Sequence, residues 1–108
     1  MSAKILLVDD SKIIRSQVRR SLEQTGENYE IGEASDGLEA LTSLSVCIRK
    51  NLPDVIVLDR NMPNMSGDEC IRILKQDDHW QKIPVLFLTA QADISQLVLG
   101  LAELGADD

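Results

Sequence analysis

The chain has 108 residues, 44% of them apolar and 27% charged, which allows one domain around one modest core. Its formal net charge of -7 argues against direct binding to nucleic acid, because phosphate contacts need clustered Lys and Arg. Met1-Ser2-Ala3-Lys4 leads straight into an apolar run too short for a signal peptide or a membrane span, so the expected location is cytoplasmic, with no membrane partner.

Lys4 to Val8 reads as a strand covered on both faces, because it is apolar without alternation, and it ends on Asp9-Asp10. Ser11 or Asp10 can cap the helix that follows. That helix carries Ile14, Val18 and Leu22 as one apolar stripe, and Lys12, Arg15, Arg19 and Arg20 as a basic outer surface. Gly26 after Thr25 ends it in the left-handed conformation. Tyr29 to Ala34 reads as a weaker strand near an edge. Asp36 with Glu39 forms a capping box, opening a helix expected to reach about Lys50 with Leu38, Leu41, Leu44 and Ile48 facing inward.

Pro53 stops that helix, and Val55 to Leu58 forms a third, continuously apolar strand ending on Asp59. Ser66 with Glu69 is a second capping box, opening a helix with Ile71 and Leu74 that ends at Asp77-Asp78-His79. Pro84 to Ala90 reads as a fourth buried strand ending on the Thr89 hydroxyl. Asp93 with Gln96 opens a last helix carrying Ile94, Leu97, Val98, Leu101 and Leu104 on one face, closed by Gly105. Cys47 and Cys70 form no CxxC pair and fall within helical patterns, so they read as thiols rather than a disulfide or metal site. His79, between Asp78 and Trp80, reads as a surface histidine.

The alternation of strand and helix predicts a parallel α/β sheet with helices on both faces and right-handed crossovers. Parallel strands place their carboxyl ends on one edge, where ligands bind in such folds. Asp9, Asp10, Asp59 and Thr89 should therefore meet in one cleft. Three carboxylates that close repel, and without a cation at least one has a raised pKa. Oxygen-only ligands from loops suit Mg²⁺, which keeps several waters and serves phosphoryl groups. A carboxylate in such a site can itself be a nucleophile. Taken singly, each residue also has a bland role, Asp9 and Asp10 as helix caps, Asn61 as a turn residue and Thr89 as a loop donor.

The motifs are Asp9-Asp10-Ser11, Arg15, Asp59-x-x-Met62-Pro63-x-Met65-x-Gly67, Thr89-Ala90 and Gly105-Ala106-Asp107-Asp108. Over the whole chain, residues 1–108, this pattern resembles the response-regulator receiver domain of two-component signalling. The resemblance implies a flavodoxin-like doubly wound sheet of order 2-1-3-4-5, here 2-1-3-4. It implies a signalling domain that catalyses only its own phosphorylation and dephosphorylation. Asp59 would accept a phosphoryl group from a phosphohistidine on a sensor histidine kinase or a histidine phosphotransfer protein. Asp10, Asp59 and the Asn61 backbone carbonyl would hold Mg²⁺, with Asp9 acting mostly through water. Thr89 would reorient to the phosphoryl group, small Ala90 would leave access to Asp59, and the switch would control an output domain or downstream target.

Receivers continue with a fifth strand, a Lys-Pro pair and a fifth helix, whereas this sequence ends at Asp108. The chain thus reads as a receiver truncated on its C-terminal side. On that reading the strand of Val85 to Leu88 becomes an apolar edge prone to self-association, and the molecule is either self-associating or marginally stable. The basic face around Arg15 and Arg19 reads as either a kinase-docking surface or a solvated face.

Three other function classes compete. A phosphohydrolase of the haloacid dehalogenase type would carry an acid two residues after its nucleophile, where this chain has Asn61. A flavodoxin would need a phosphate loop where Asp9-Asp10 would repel the ligand. A pseudo-receiver that only binds partners is disfavoured by the intact acids but kept open by the missing lysine of the family pattern.

Overall fold

A computed structural model describes residues 3–47, 51–60, 62 and 64–88. They form β1 (Ala3–Val8), α1 (Lys12–Glu23), β2 (Tyr29–Ala34), α2 (Gly37–Ser45), β3 (Val55–Asp59), α3 (Gly67–Gln76) and β4 (Val85–Leu88). All strand pairs are parallel, in the order β2-β1-β3-β4, the order expected from the sequence. The expected last helix, with Ile94 to Leu104 and Gly105, lies outside the described residues, as does everything after Leu88 on which the edge argument for β4 depends.

The unbroken apolar runs have a direct cause. Ile5 and Leu7 of β1 and Val55 and Val57 of β3 face α1, packing with Val18 and Leu22. Their neighbours Leu6, Val8, Ile56 and Leu58 face the opposite layer, with Ala40 and Leu44 of α2 and Cys70 and Leu74 of α3. A central strand with both faces covered has no side left for polar residues. β2 lies at the edge, and its residues Glu30, Gly32 and Glu33 are exposed. β4 is half-buried at Val85, Leu86 and Phe87 and buried only at Leu88, a correction to its reading as a fully buried strand.

The three helix starts follow local chemistry. Ser11, Asp36 and Ser66 each accept from the backbone N–H three residues on, at Ile14, Glu39 and Glu69. The Glu39 carboxylate reaches back to the Ser35 N–H and hydroxyl, at 3.2 and 2.8 Å, one residue earlier than in the usual box. Gly26 takes φ +81 after α1, as expected of a left-handed terminator.

α2 departs from expectation. It ends at Ser45 rather than near Lys50, and its buried residues are Gly37, Ala40 and Leu44. Leu38 is 49% exposed, Leu41 is half-buried against the core, and Ile48 lies outside the described residues. At Gly37 the helix sits close to Met65, and a Cβ added there would stand 3.0 Å from the Met65 Cγ. Cys70 is buried and its thiol is pushed up to about 11 by burial, whereas Cys47 is partly exposed. His79 is exposed, its N–H donating to Asp77 Oδ1 at 2.8 Å.

Candidate functional site

The carboxyl ends of β1 and β3 lie side by side, since Val8 pairs with Leu58. Chain extension past those residues delivers Asp9, Asp10 and Asp59 to one place. Each offers a carboxylate oxygen, and the three oxygens lie within 4.8 Å of one another. Asp9 is buried at 4% exposure, Asp59 is half-buried and Asp10 is exposed. An apolar cavity of about 220 Å³, bordered by Lys4, Glu30, Leu44 and Cys47, lies at the opposite, amino-terminal edge of β1 and β2 and is no part of this site.

Asp9 is held by the backbone around it. Its N–H donates to the Ala34 carbonyl at 3.1 Å, prolonging the β1–β2 ladder by one bond. Its Oδ1 accepts from the Ser11 N–H at 2.8 Å. Burial pushes its carboxyl above the ordinary carboxylate range, and the like charges of Asp59 and Asp10 add to this. The Ser11 N–H and the Arg15 guanidinium oppose the rise without cancelling it. The repulsion expected of clustered carboxylates thus falls on the buried member, where water screens least.

The loop after β3 is shaped by close backbone approach. The Gly67 N–H donates to the Arg60 carbonyl at 2.9 Å. A Cβ at Gly67 would stand 2.8 Å from Arg60 Cα and 3.1 Å from the Asp59 carbonyl carbon. Only glycine therefore lets α3 begin against the end of β3. Asn64 adopts φ +68, the left-handed region that Asn tolerates, and its Nδ2 donates to Asp36 Oδ2 at 2.7 Å, tying this loop to the start of α2. The Arg60 guanidinium lies 4.3 Å from the ring centre of Phe87 on β4.

Of the site residues expected from the sequence, Asp9, Asp10 and Asp59 are brought together. Asn61, Thr89 and Ala90 lie outside the described residues. Arg15 and Arg19 are not merely solvated. Both pair with Glu33 of β2, Arg15 Nε with Oε1 at 2.8 Å and Arg19 Nη2 with Oε2 at 2.7 Å. Glu33 is the residue that sequence reasoning passed over. The available signal was an acid near the end of an edge strand, opposite arginines four residues apart on a neighbouring helix.

The profile of the response regulator receiver domain matches residues 5–108. The chain belongs to that family. Among curated relatives, the receiver is 43% identical over 110 residues to the response regulator MprA of Mycobacterium sp. (strain KMS), covering 100% of this chain and 43% of that protein. It is 42% identical to MprA of Mycobacterium tuberculosis (strain ATCC 25177 / H37Ra), again covering 100% of this chain and 43% of the relative. This receiver therefore spans less than half the length of those relatives.

Solved structures agree. The bacteriophytochrome response regulator AtBRR superposes with TM-score 0.74 at 33% identity, covering 97% of this chain and 78% of that one. The phosphorylated cyanobacterial phytochrome response regulator RcpA gives 0.78 at 25% identity, covering 95% and 93%. Vibrio cholerae chemotaxis protein CheY4 gives 0.68 at 34% identity, covering 91% and 81%. The chain is thus a signalling domain of two-component response regulators, and no described helix is long and apolar enough to cross a membrane.

Proposed function

We propose that residues 1–108 act as one phosphoacceptor switch, in which Asp59 takes a phosphoryl group from a phosphohistidine on a sensor kinase or phosphotransfer protein. The observation that carries this reading is the convergence of Asp9, Asp10 and Asp59 within 4.8 Å at the carboxyl edge of the sheet. Asp59 combines the last position of central β3, between β1 and β4, with the Met62-Pro63 sequence that follows it. An Asp59 oxygen attacks phosphorus while the phosphorus–nitrogen bond breaks. The bonding pair stays on the ring nitrogen; with the donor's other ring nitrogen protonated, the histidine leaves as neutral imidazole, and an aspartyl phosphate remains.

The donor set fits a hard divalent cation, because it consists of three close carboxylate oxygens, and burial, followed by the like charges of Asp59 and Asp10, raises the Asp9 pKa when no cation offsets them. Asp9, Asp10, Asp59 and the Asn61 carbonyl would hold Mg²⁺. When bound, that ion supplies charge neutralisation for the phosphoryl oxygens. Asp9 and Asp10 keep the cleft anionic, and the Gly67 approach keeps the backbone after Asp59 in place. Thr89 supplies a hydroxyl to the phosphoryl oxygens, and Ala90 leaves Asp59 accessible. The switch acts in the cytoplasm, within a phosphorelay whose output lies in another domain or a downstream target.

Incubation with a small acyl-phosphate donor and Mg²⁺, followed by intact mass, tests the assignment. The wild type should gain one phosphoryl group and Asp59→Asn none. An adduct that persists in Asp59→Asn places the acceptor elsewhere.

A further inference from the structure

Asp9 receives a third restraint in addition to its bonds to Ala34 and Ser11. Its backbone carbonyl accepts from Arg15 Nη1. Arg15 is well covered, with 15% of its side chain exposed, and its Nε is bonded to Glu33 Oε1 at 2.8 Å. The other Glu33 oxygen accepts from Arg19 Nε and Nη2 at 3.1 and 2.7 Å, and Arg19 Nη2 also donates to the Ile31 carbonyl at 3.2 Å. Glu33 is thus gripped by two guanidiniums one helical turn apart, and it sits on β2 beside Ala34, whose carbonyl holds the Asp9 N–H. The planar fork of arginine can reach a carboxylate and a carbonyl at once, which an ammonium cannot do in a fixed geometry.

We infer that Arg15 is a positioning residue for the cation site. Braced by Glu33, it fixes the main chain of Asp9 so that the Asp9 carboxylate is already turned toward Asp10 and Asp59 before an ion arrives. The inference rests on the metal reading given above and deepens it. Its sign is informative, because a positive charge near the cleft would by itself repel a cation. Removing Arg15 should strengthen cation binding if only charge matters, and weaken it if position matters.

Mg²⁺ affinity by calorimetry, together with amide hydrogen exchange on the metal-free protein, tests this on Arg15→Lys, Arg15→Ala and Arg19→Ala. Both Arg15 variants should bind Mg²⁺ about tenfold more weakly, the scale of lost support around a metal ligand. Their Asp9 and Ser11 amides should exchange faster relative to Val57 of the central strand. Arg19→Ala, which does not touch Asp9, should melt lower yet keep its affinity within about twofold. Tighter Mg²⁺ binding by Arg15→Ala overturns the inference in favour of a purely electrostatic role. Lower melting with unchanged affinity and uniformly faster exchange overturns it in favour of a general structural role. If the wild type binds no Mg²⁺, the metal reading itself fails. The exchange rates at Asp9 and Ser11 then decide by themselves whether Arg15 holds this loop.

Discussion

Replacing Asp9 by Asn measures what an ionised, buried Asp9 costs the fold, the burial of its charge and its repulsion by Asp59 and Asp10 together. Asn keeps an oxygen to accept the Ser11 N–H, now bonded at 2.8 Å, and nearly the same volume, while one charge is lost. The three carboxylate oxygens lie within 4.8 Å of one another. Two unit charges at that separation repel by roughly 1 kcal/mol in water and roughly 3–4 kcal/mol at an effective dielectric near 20. Asp9 is 4% exposed, so its charge also carries a burial cost, partly offset by Arg15.

The raised pKa of Asp9 gives the sign. Above its ordinary value of 3.8, the folded protein holds this proton more tightly than the unfolded chain does. Stability therefore falls as pH rises from that value through the folded pKa. At neutral pH the ionised side chain is a net burden, and Asp9→Asn should be more stable by about 1–2 kcal/mol in metal-free buffer. For a domain of this size that is a rise in Tm of about 4–8 °C per kcal/mol.

Urea unfolding with a chelator present, followed by the fluorescence of Trp80, the only tryptophan and packed against the core, measures this directly. The urea slope should stay unchanged while the midpoint rises. Saturating Mg²⁺ should stabilise the wild type by mass action and the variant less, so the gap narrows or reverses. A variant no more stable than wild type without metal would refute the argument that the buried, repelled charge burdens the fold, since Asn leaves the Ser11 bond in place.

Two further outcomes follow from the same structure. Gly67→Ala should cost about 1–3 kcal/mol, the range for forcing atoms into filled space, because its Cβ meets backbone at Arg60 and Asp59 rather than a movable side chain; the urea midpoint checks it. Glu33 has its pKa lowered, first by the Arg19 hydrogen bonds and then by Arg15, so its contribution is present above the ordinary value of 4.5 and is lost as pH falls through the folded value. With 34% of that side chain exposed, screening holds the contribution below about 1 kcal/mol. The stability gap between wild type and Glu33→Gln should therefore be small at neutral pH, shrink in high salt and vanish in acid.

What the sequence determined by itself was whatever depends on near neighbours along the chain. Ser11, Asp36 and Ser66 start their helices because a side-chain oxygen three residues before an N–H can bond it in any surroundings. The strands of Ile5 to Val8 and Val55 to Leu58 were legible because unbroken apolar runs suit only a strand covered on both sides. Parallel direction then sufficed to collect Asp9, Asp10 and Asp59 at one edge. Tertiary structure decided which face of a helix is inner and which charges meet. Hydrophobicity alone points Leu38 inward, yet Gly37, Ala40 and Leu44 face the core, and Met65 leaves no room for a side chain at Gly37. Periodicity along α1 shows Arg15 and Arg19 as an outer face, and only the packing of α1 beside β2 brings Glu33 between them. Which charge meets which is set by distances between elements far apart in the chain, and those distances are a product of the whole core.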